Sequence, residues 1–162
     1  MKTVTKSTII PKNSVIANGF GRIDYCDTYC VIKSINDSAE DIAGEIFKLP
    51  NWVNWLMNIR NSIVWIFKLK SDKKVREEQT TYFTLIEKNE NEIVMGENDK
   101  YLDFRVSVFI DRINSFIYLT TLVHFNNFLG KTYFFYIKPF HIIIIKSILK
   151  RKINEKRKNL EV

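Results

Sequence analysis

The most regular alternation in the chain runs from Tyr101 to Ile110. Leu102, Phe104, Val106, Val108 and Ile110 fall on one side, and Tyr101, Asp103, Arg105, Ser107 and Phe109 on the other. A period of two is that of a strand with one buried face. The neighbouring segments carry the same signal. Thr80–Glu87 is rich in strand formers, Lys88-Asn89-Glu90-Asn91 reads as a turn, and Glu92–Gly96 as the returning strand. Asn98-Asp99 makes the next turn, and Ile113-Asn114-Ser115 turns the chain again into a long strand, Phe116–Phe125. Together these segments predict a four-strand antiparallel meander. Upstream, a strand is predicted from Ile23 to about Ile35, with Tyr25, Tyr29 and Val31 on one face and Cys26, Cys30 and Ile32 on the other. Residues 1–20, broken by Pro11 and by Gly19-Phe20-Gly21, read as an irregular arm.

Helical patterning occurs in three places. Ser38 heads a short helix with Glu40 and Asp41 in its first turn, where they serve unpaired N–H groups and suit the dipole; it ends near Leu49, before Pro50. A second helix, Asn51 to about Leu69, gathers Trp52, Val53, Leu56, Met57, Ile59, Ile63, Val64, Ile66 and Phe67 on one arc, opposite Asn54, Asn58, Asn61 and Ser62. Lys70 to Gln79 is a charged loop. From Asn127 to Lys152 the pattern predicts a helix of roughly 39 Å, apolar on most sides, with Pro139, Lys146 and Lys150 as a narrow polar stripe. Pro139 leaves two readings. Either the helix is kinked there, or Lys131–Ile137 is a final strand and Pro139 opens a shorter helix.

The resulting order is β-α-α-β-β-β-β-α. Strands and helices in separate runs indicate an α+β fold, with helices packed on one face of an antiparallel sheet. The expected arrangement is a curved sheet around the C-terminal helix, with a ligand cavity between them. The chain divides into the arm (1–20), a single domain (21–153) and a C-terminal tail (154–162).

Composition narrows the class. The 162 residues are 46% hydrophobic and 27% charged, which excludes a disordered chain, and five Gly and three Pro exclude collagenous or low-complexity material. The net charge of +7 is concentrated at one end. From Lys146 onward there are seven basic and two acidic residues, leaving 18 basic and 16 acidic in the rest. Such a tail suits solvent, phosphate or anionic lipid. Nucleic acid is not an expected partner, because basic residues interleaved with aromatics across a face are missing. No secretory signal pattern is read at the start, and Cys26 and Cys30, about 13 Å apart on one strand face, are too distant to bridge. The expected compartment is the cytoplasm. Lys138, Pro139, His141 and Lys146 interrupt the C-terminal apolar run, so no membrane span is expected. A second subunit or a membrane surface remains a candidate cover for that helix.

Few residues suggest chemistry. Arg60 falls at the centre of the second helix's apolar arc, where an unpaired guanidinium would be costly, about 3–5 kcal/mol. It either pairs internally with Asp103, Asp24 or Asp27, or receives an acidic group of a ligand. His141 projects amid Ile137, Ile144, Ile145 and Ile148, and His124 shares a strand face with Tyr118, Thr120 and Leu122. Each is a core histidine or, should the two converge on one cavity, a base. Asp103 and Arg105 suggest an exposed ion pair. No metal-ligand spacing, phosphate-cradling glycine loop or nucleophile elbow is present, and neither a metal nor a cofactor is expected.

Leu49-Pro50-Asn51-Trp52-Val53-Asn54-Trp55-Leu56-Met57-Asn58-Ile59-Arg60-Asn61, Tyr101-Leu102-Asp103-Phe104-Arg105-Val106-Ser107-Val108 and Gly130-Lys131-Thr132-Tyr133…Ile137-Lys138-Pro139-Phe140-His141 resemble an uncharacterised bacterial domain-of-unknown-function family. Similar modules are fused behind NmrA-type NAD(P)-binding reductase domains. The resemblance covers about residues 20–152 and implies a START-like (SRPBCC) helix-grip fold. It brings no reaction, substrate or catalytic residue, and reductase activity does not carry over to a chain without a dinucleotide-binding half.

The leading expectation is a pocket protein for a small, largely apolar ligand. Its candidate contacts are Arg60, Trp52, Leu56, Phe104, His124, Tyr133, Ile137 and His141. The alternatives are a cyclase or dehydratase using His141 or His124 with Arg60, and an interaction protein that dimerises through the C-terminal helix.

Overall fold

A computed structural model describes residues 5–32, 38–46 and 84–158. Six strands form one antiparallel sheet: β1 (Thr5–Ser7), β2 (Tyr25–Ile32), β3 (Thr84–Lys88), β4 (Glu92–Asn98), β5 (Leu102–Asp111) and β6 (Phe116–Phe125), in the spatial order β1-β2-β6-β5-β4-β3. Two helices, α1 (Ala39–Ile46) and α2 (Phe128–Lys158), pack against the sheet. The fold is therefore α+β, as the separation of strand and helix patterns implied. The second helix expected over 51–69, with Trp52, Leu56 and Arg60, lies outside the described residues.

The meander follows the sequence pattern closely. β6 occupies the expected residues, and β5 is displaced by one from the expected alternation. Ser38 caps α1 as expected: Asp41 N–H donates to Ser38 Oγ at 3.1 Å, and Ser38 Oγ donates to Asp41 Oδ2 at 2.6 Å.

Three expectations are corrected. The arm is not wholly irregular, because Thr5–Ser7 adds an edge strand, Thr5 opposite Cys30 and Ser7 opposite Thr28. Three residues are too few for a legible period; β2's free edge supplies the template. The C-terminal segment is one helix through Pro139, so Lys131–Ile137 is not a strand. Pro139 sits on the exposed side, where water can serve the carbonyl deprived of its donor. Finally, α2 runs on to Lys158 and so includes the start of the expected tail.

The two sheet faces are differently covered. One carries the main core: Tyr29, Val31, Val108 and Leu119 pack with Ile42 of α1 and with Ile145, Ile148 and Leu149 of α2. The other is covered by the arm, whose Ile16 and Phe20 pack on Val94 and Leu122. The arm is held by polar clamps. The buried Glu92 carboxylate accepts from Ser14 Oγ (2.6 Å), Val15 N–H (2.7 Å) and Ser107 Oγ. Arg105 donates to the carbonyls of Ile16 and Asn18 at 3.0 and 2.5 Å, and its guanidinium lies 5.0 Å from the Phe20 ring centroid. Arg105 was expected in an exposed pair with Asp103; its planar donor fork instead suits these paired carbonyls.

Gly130 positions α2. A Cβ there would stand 1.9 Å from the Tyr101 carbonyl oxygen, so only glycine lets the first turn approach that backbone. Asn127 caps the same turn, accepting from Gly130 N–H at 2.9 Å and donating to the Lys100 carbonyl at 2.8 Å.

Candidate functional site

The helix-covered face holds a polar cluster. β2 presents Tyr25, Asp27, Tyr29 and Val31 to this side, a run of alternate positions in which only Asp27 is charged. Its cross-strand neighbour on β6 is Thr121, which is paired in turn with Val106 of β5. Asp27 has 0% exposure. Tyr25 Oη donates to its Oδ2 at 2.8 Å, and His141 Nε2 of α2 stands 3.4 Å from both carboxylate oxygens.

A charge at such a place requires partners. Burial pushes the Asp27 carboxyl up, but hydrogen bonding and charge from His141, the Tyr25 hydroxyl and the charge of Lys6 outweigh it. The carboxyl is held below its ordinary value. The same burial, with the hydrogen bond to Asp27 and its negative charge, drives the Tyr25 phenol well above its usual range. Burial and the Asp27 charge push Tyr29 up to about 12. Both phenols stay neutral donors wherever Asp27 is ionised under ordinary conditions.

Two further hydroxyls complete the cluster. Tyr29 Oη and Thr121 Oγ1 are buried and find no hydrogen-bond partner among the described residues. They flank Asp27, one two residues along β2 and the other directly across on β6. Around this polar spot the walls are aromatic and aliphatic. Phe134 of α2 packs on Tyr25 and Phe125 at centroid distances of 4.8 and 5.4 Å. Lys138 covers the Tyr25 ring at 4.8 Å.

Four of the expected contacts lie on this side. Tyr133, Ile137 and His141 follow one another at intervals of four along α2, all half-buried, and Phe104 shares the inward register of β5 with the buried Val106. His124 does not join them. It belongs to the alternate positions of β6 with Leu122, on the arm-covered face, where its Nδ1 lies 2.8 Å from Asp24 Oδ2. The two histidines therefore do not converge on one cavity. The side-chain period of two sends residues 119, 121 and 123 to α2 and 120, 122 and 124 to the arm. Trp52, Leu56 and Arg60 lie outside the described residues.

Asp27 itself, with Tyr25, Tyr29 and Thr121, was missing from the candidate contacts. A signal for Asp27 was present, since a lone carboxylate at an inward strand position between two tyrosines breaks the apolar alternation. Its partner His141 lies 114 positions away, which no local pattern encodes.

Chemically, the site can offer a charged acceptor, neutral phenol and threonine hydroxyls, and an imidazole backed by a carboxylate. Among the described residues, no group of three His, Cys, Asp or Glu side chains could hold a metal ion. No curated protein and no solved structure matches the chain. Residues 20–148 match the model of the family described as protein of unknown function (DUF2867), and the chain belongs to that family.

Proposed function

We propose that this chain is a START-like pocket protein that binds a small, largely apolar ligand, with one polar end, between the sheet and α2. The observation that carries the reading is the buried Asp27 carboxylate flanked by two buried hydroxyls without partners among the described residues. A layer closed only for packing would favour none of these groups, since each stranded hydroxyl costs about 1–3 kcal/mol. A ligand hydroxyl, amide or amine would donate to Asp27, and a ligand oxygen would accept from Tyr29 or Thr121. Phe104, Tyr133 and Ile137 would supply apolar wall. Trp52 and Leu56 as further apolar wall and Arg60 as receiver of an acidic group complete the proposed contacts from outside the described residues. Cys26 and Cys30, both free, suit a reducing cytoplasmic setting.

Native mass spectrometry of freshly purified protein, followed by a thermal-shift screen with long-chain and aromatic alcohols, amides and amines beside fatty acids and aromatic acids, tests the reading. A bound species or a shift is expected, and it should weaken in Asp27→Asn and His141→Ala. No bound species and no shift across those classes would overturn it.

The Asp27–His141 pair favours one second reading. A buried carboxylate behind an imidazole orients that ring for proton abstraction, so a cyclase or dehydratase reaction would use His141 as base, with Arg60 steadying an enolate. His124, committed to Asp24 on the other face, takes no part. A pH-dependent activity abolished by His141→Ala would support this reading.

A further inference from the structure

α2 has two unlike sides. Its inner side is closed by Gly130, Phe134, Ile145, Ile148 and Leu149, all buried. Its outer side exposes large apolar groups that a soluble surface ordinarily avoids: Phe128 at 78%, Phe135 at 73%, Ile143 at 55% and Leu129 at 46%. At 100° per residue these four fall on one arc, opposite the buried stripe, and the exposed Lys146 and Lys150 continue the same arc toward the C-terminus. Charge along this stretch is of one sign. Residues 127–154 contain six basic side chains (Lys131, Lys138, Lys146, Lys150, Arg151 and Lys152) and no acidic one.

We propose that the outer side of α2 docks on an anionic lipid bilayer, lying in the interface plane. An exposed helix side that is apolar at its start and carries lysines one to two turns further on can bury the first part in a lipid interface and set the second against headgroups. Phenylalanine and isoleucine enter the boundary between headgroups and acyl chains, and the basic groups meet lipid phosphates. Phe128–Lys150 is long and apolar enough, by length and composition alone, to cross a membrane. Crossing would strip its inner side from the sheet and part His141 from Asp27, whereas lying flat keeps both contacts. The charge complementarity selects the occupant: a stretch with six cations and no anion is matched by an anionic lipid surface.

Sedimentation of the full chain with vesicles tests this. The protein should pellet with vesicles of phosphatidylglycerol and phosphatidylcholine. Affinity should be on the order of thirtyfold above that for phosphatidylcholine alone, given the two lysines, Lys146 and Lys150, on the docking arc, and should fall as salt is raised. Phe135→Glu with Ile143→Glu should abolish pelleting while leaving the circular dichroism unchanged, because both side chains are exposed. Lys146→Glu with Lys150→Glu, also exposed, serves as an independent pair and should weaken it. Wild-type protein that stays in the supernatant with anionic vesicles would overturn the proposal. So would Phe135→Glu/Ile143→Glu protein that still pellets, or a wild-type dimer that this pair renders monomeric and that binds no vesicles.

Discussion

Replacing Tyr29 by Phe removes one oxygen atom from the interior and leaves the ring in place. The residue has 0% exposure, and its hydroxyl has no hydrogen-bond partner among the described residues. In ligand-free protein the substitution therefore recovers most of a stranded hydroxyl's desolvation penalty, about 1–3 kcal/mol. Against this stands the lost packing of one atom, about 0.1–0.2 kcal/mol for each close contact. The net expectation is a gain of roughly 0.5–2 kcal/mol at neutral pH. For a chain of this size, that raises the melting temperature by about 1–8 °C.

The gain should grow in alkali. Burial, then the Asp27 charge, raises the Tyr29 phenol to about 12 in the folded protein, while an unfolded tyrosine ionises near its ordinary value of 10.0. A raised phenol contributes stability that is complete below the unfolded value and is lost as pH rises through the folded one. Wild-type stability should thus decline between about pH 10 and 12, and the Tyr29→Phe protein should lose less over that window. Urea denaturation of refolded, ligand-free protein at neutral pH and in alkali measures both effects. The same variant should bind the ligand found by native mass spectrometry less tightly. Tyr29→Phe protein less stable than wild type by more than about 1 kcal/mol would refute the reasoning, because it would show that the hydroxyl is satisfied in the folded state.

Other outcomes follow from the same contacts. Asp27 is held below its ordinary value, so the folded state binds fewer protons than the unfolded one near pH 4; stability should be complete above that range and fall as pH drops through it. Asp27→Asn should flatten this acid limb in denaturation curves and lower stability at neutral pH by about 1–3 kcal/mol. Gly130→Ala sets a methyl group 1.9 Å from the Tyr101 carbonyl oxygen, so the start of α2 must shift, at about 1–3 kcal/mol despite alanine's better helix propensity. Thermal denaturation would register that loss, and faster hydrogen exchange at Asn126 N–H, which donates to the same carbonyl, would locate it. Glu92→Gln turns one carboxylate oxygen into an NH2, which meets either Val15 N–H or the two hydroxyls of Ser14 and Ser107, and also removes the charge that all three donors serve; it should cost about 1–3 kcal/mol. Limited proteolysis should then cut between β1 and β2 sooner than in wild type.

What could be read directly from the residues was local. The alternation through 102–110, the turn at 113–115 and the Ser38-x-x-Asp41 box act within a few positions. Their signals need no distant residue to be read, and β5, β6 and the start of α1 appear where expected. The same periodicity marked α2 as apolar on most sides, though not which side would be covered. That depended on Gly130 meeting the Tyr101 backbone and on the sheet offering Leu119 and Val108 to Ile145, Ile148 and Leu149. Helix or strand at 131–137 was likewise undecided by propensity, and packing along one continuous inner stripe settled it. The site lay furthest from sequence reasoning. A period of two assigns His124 and Thr121 to opposite faces, but only the assembled layers say which face receives α2 and brings His141 to Asp27. Short-range patterns choose conformations. The meeting of side chains 114 positions apart is fixed by how whole elements stack, and there the burial of a charge makes one arrangement far better than its neighbours.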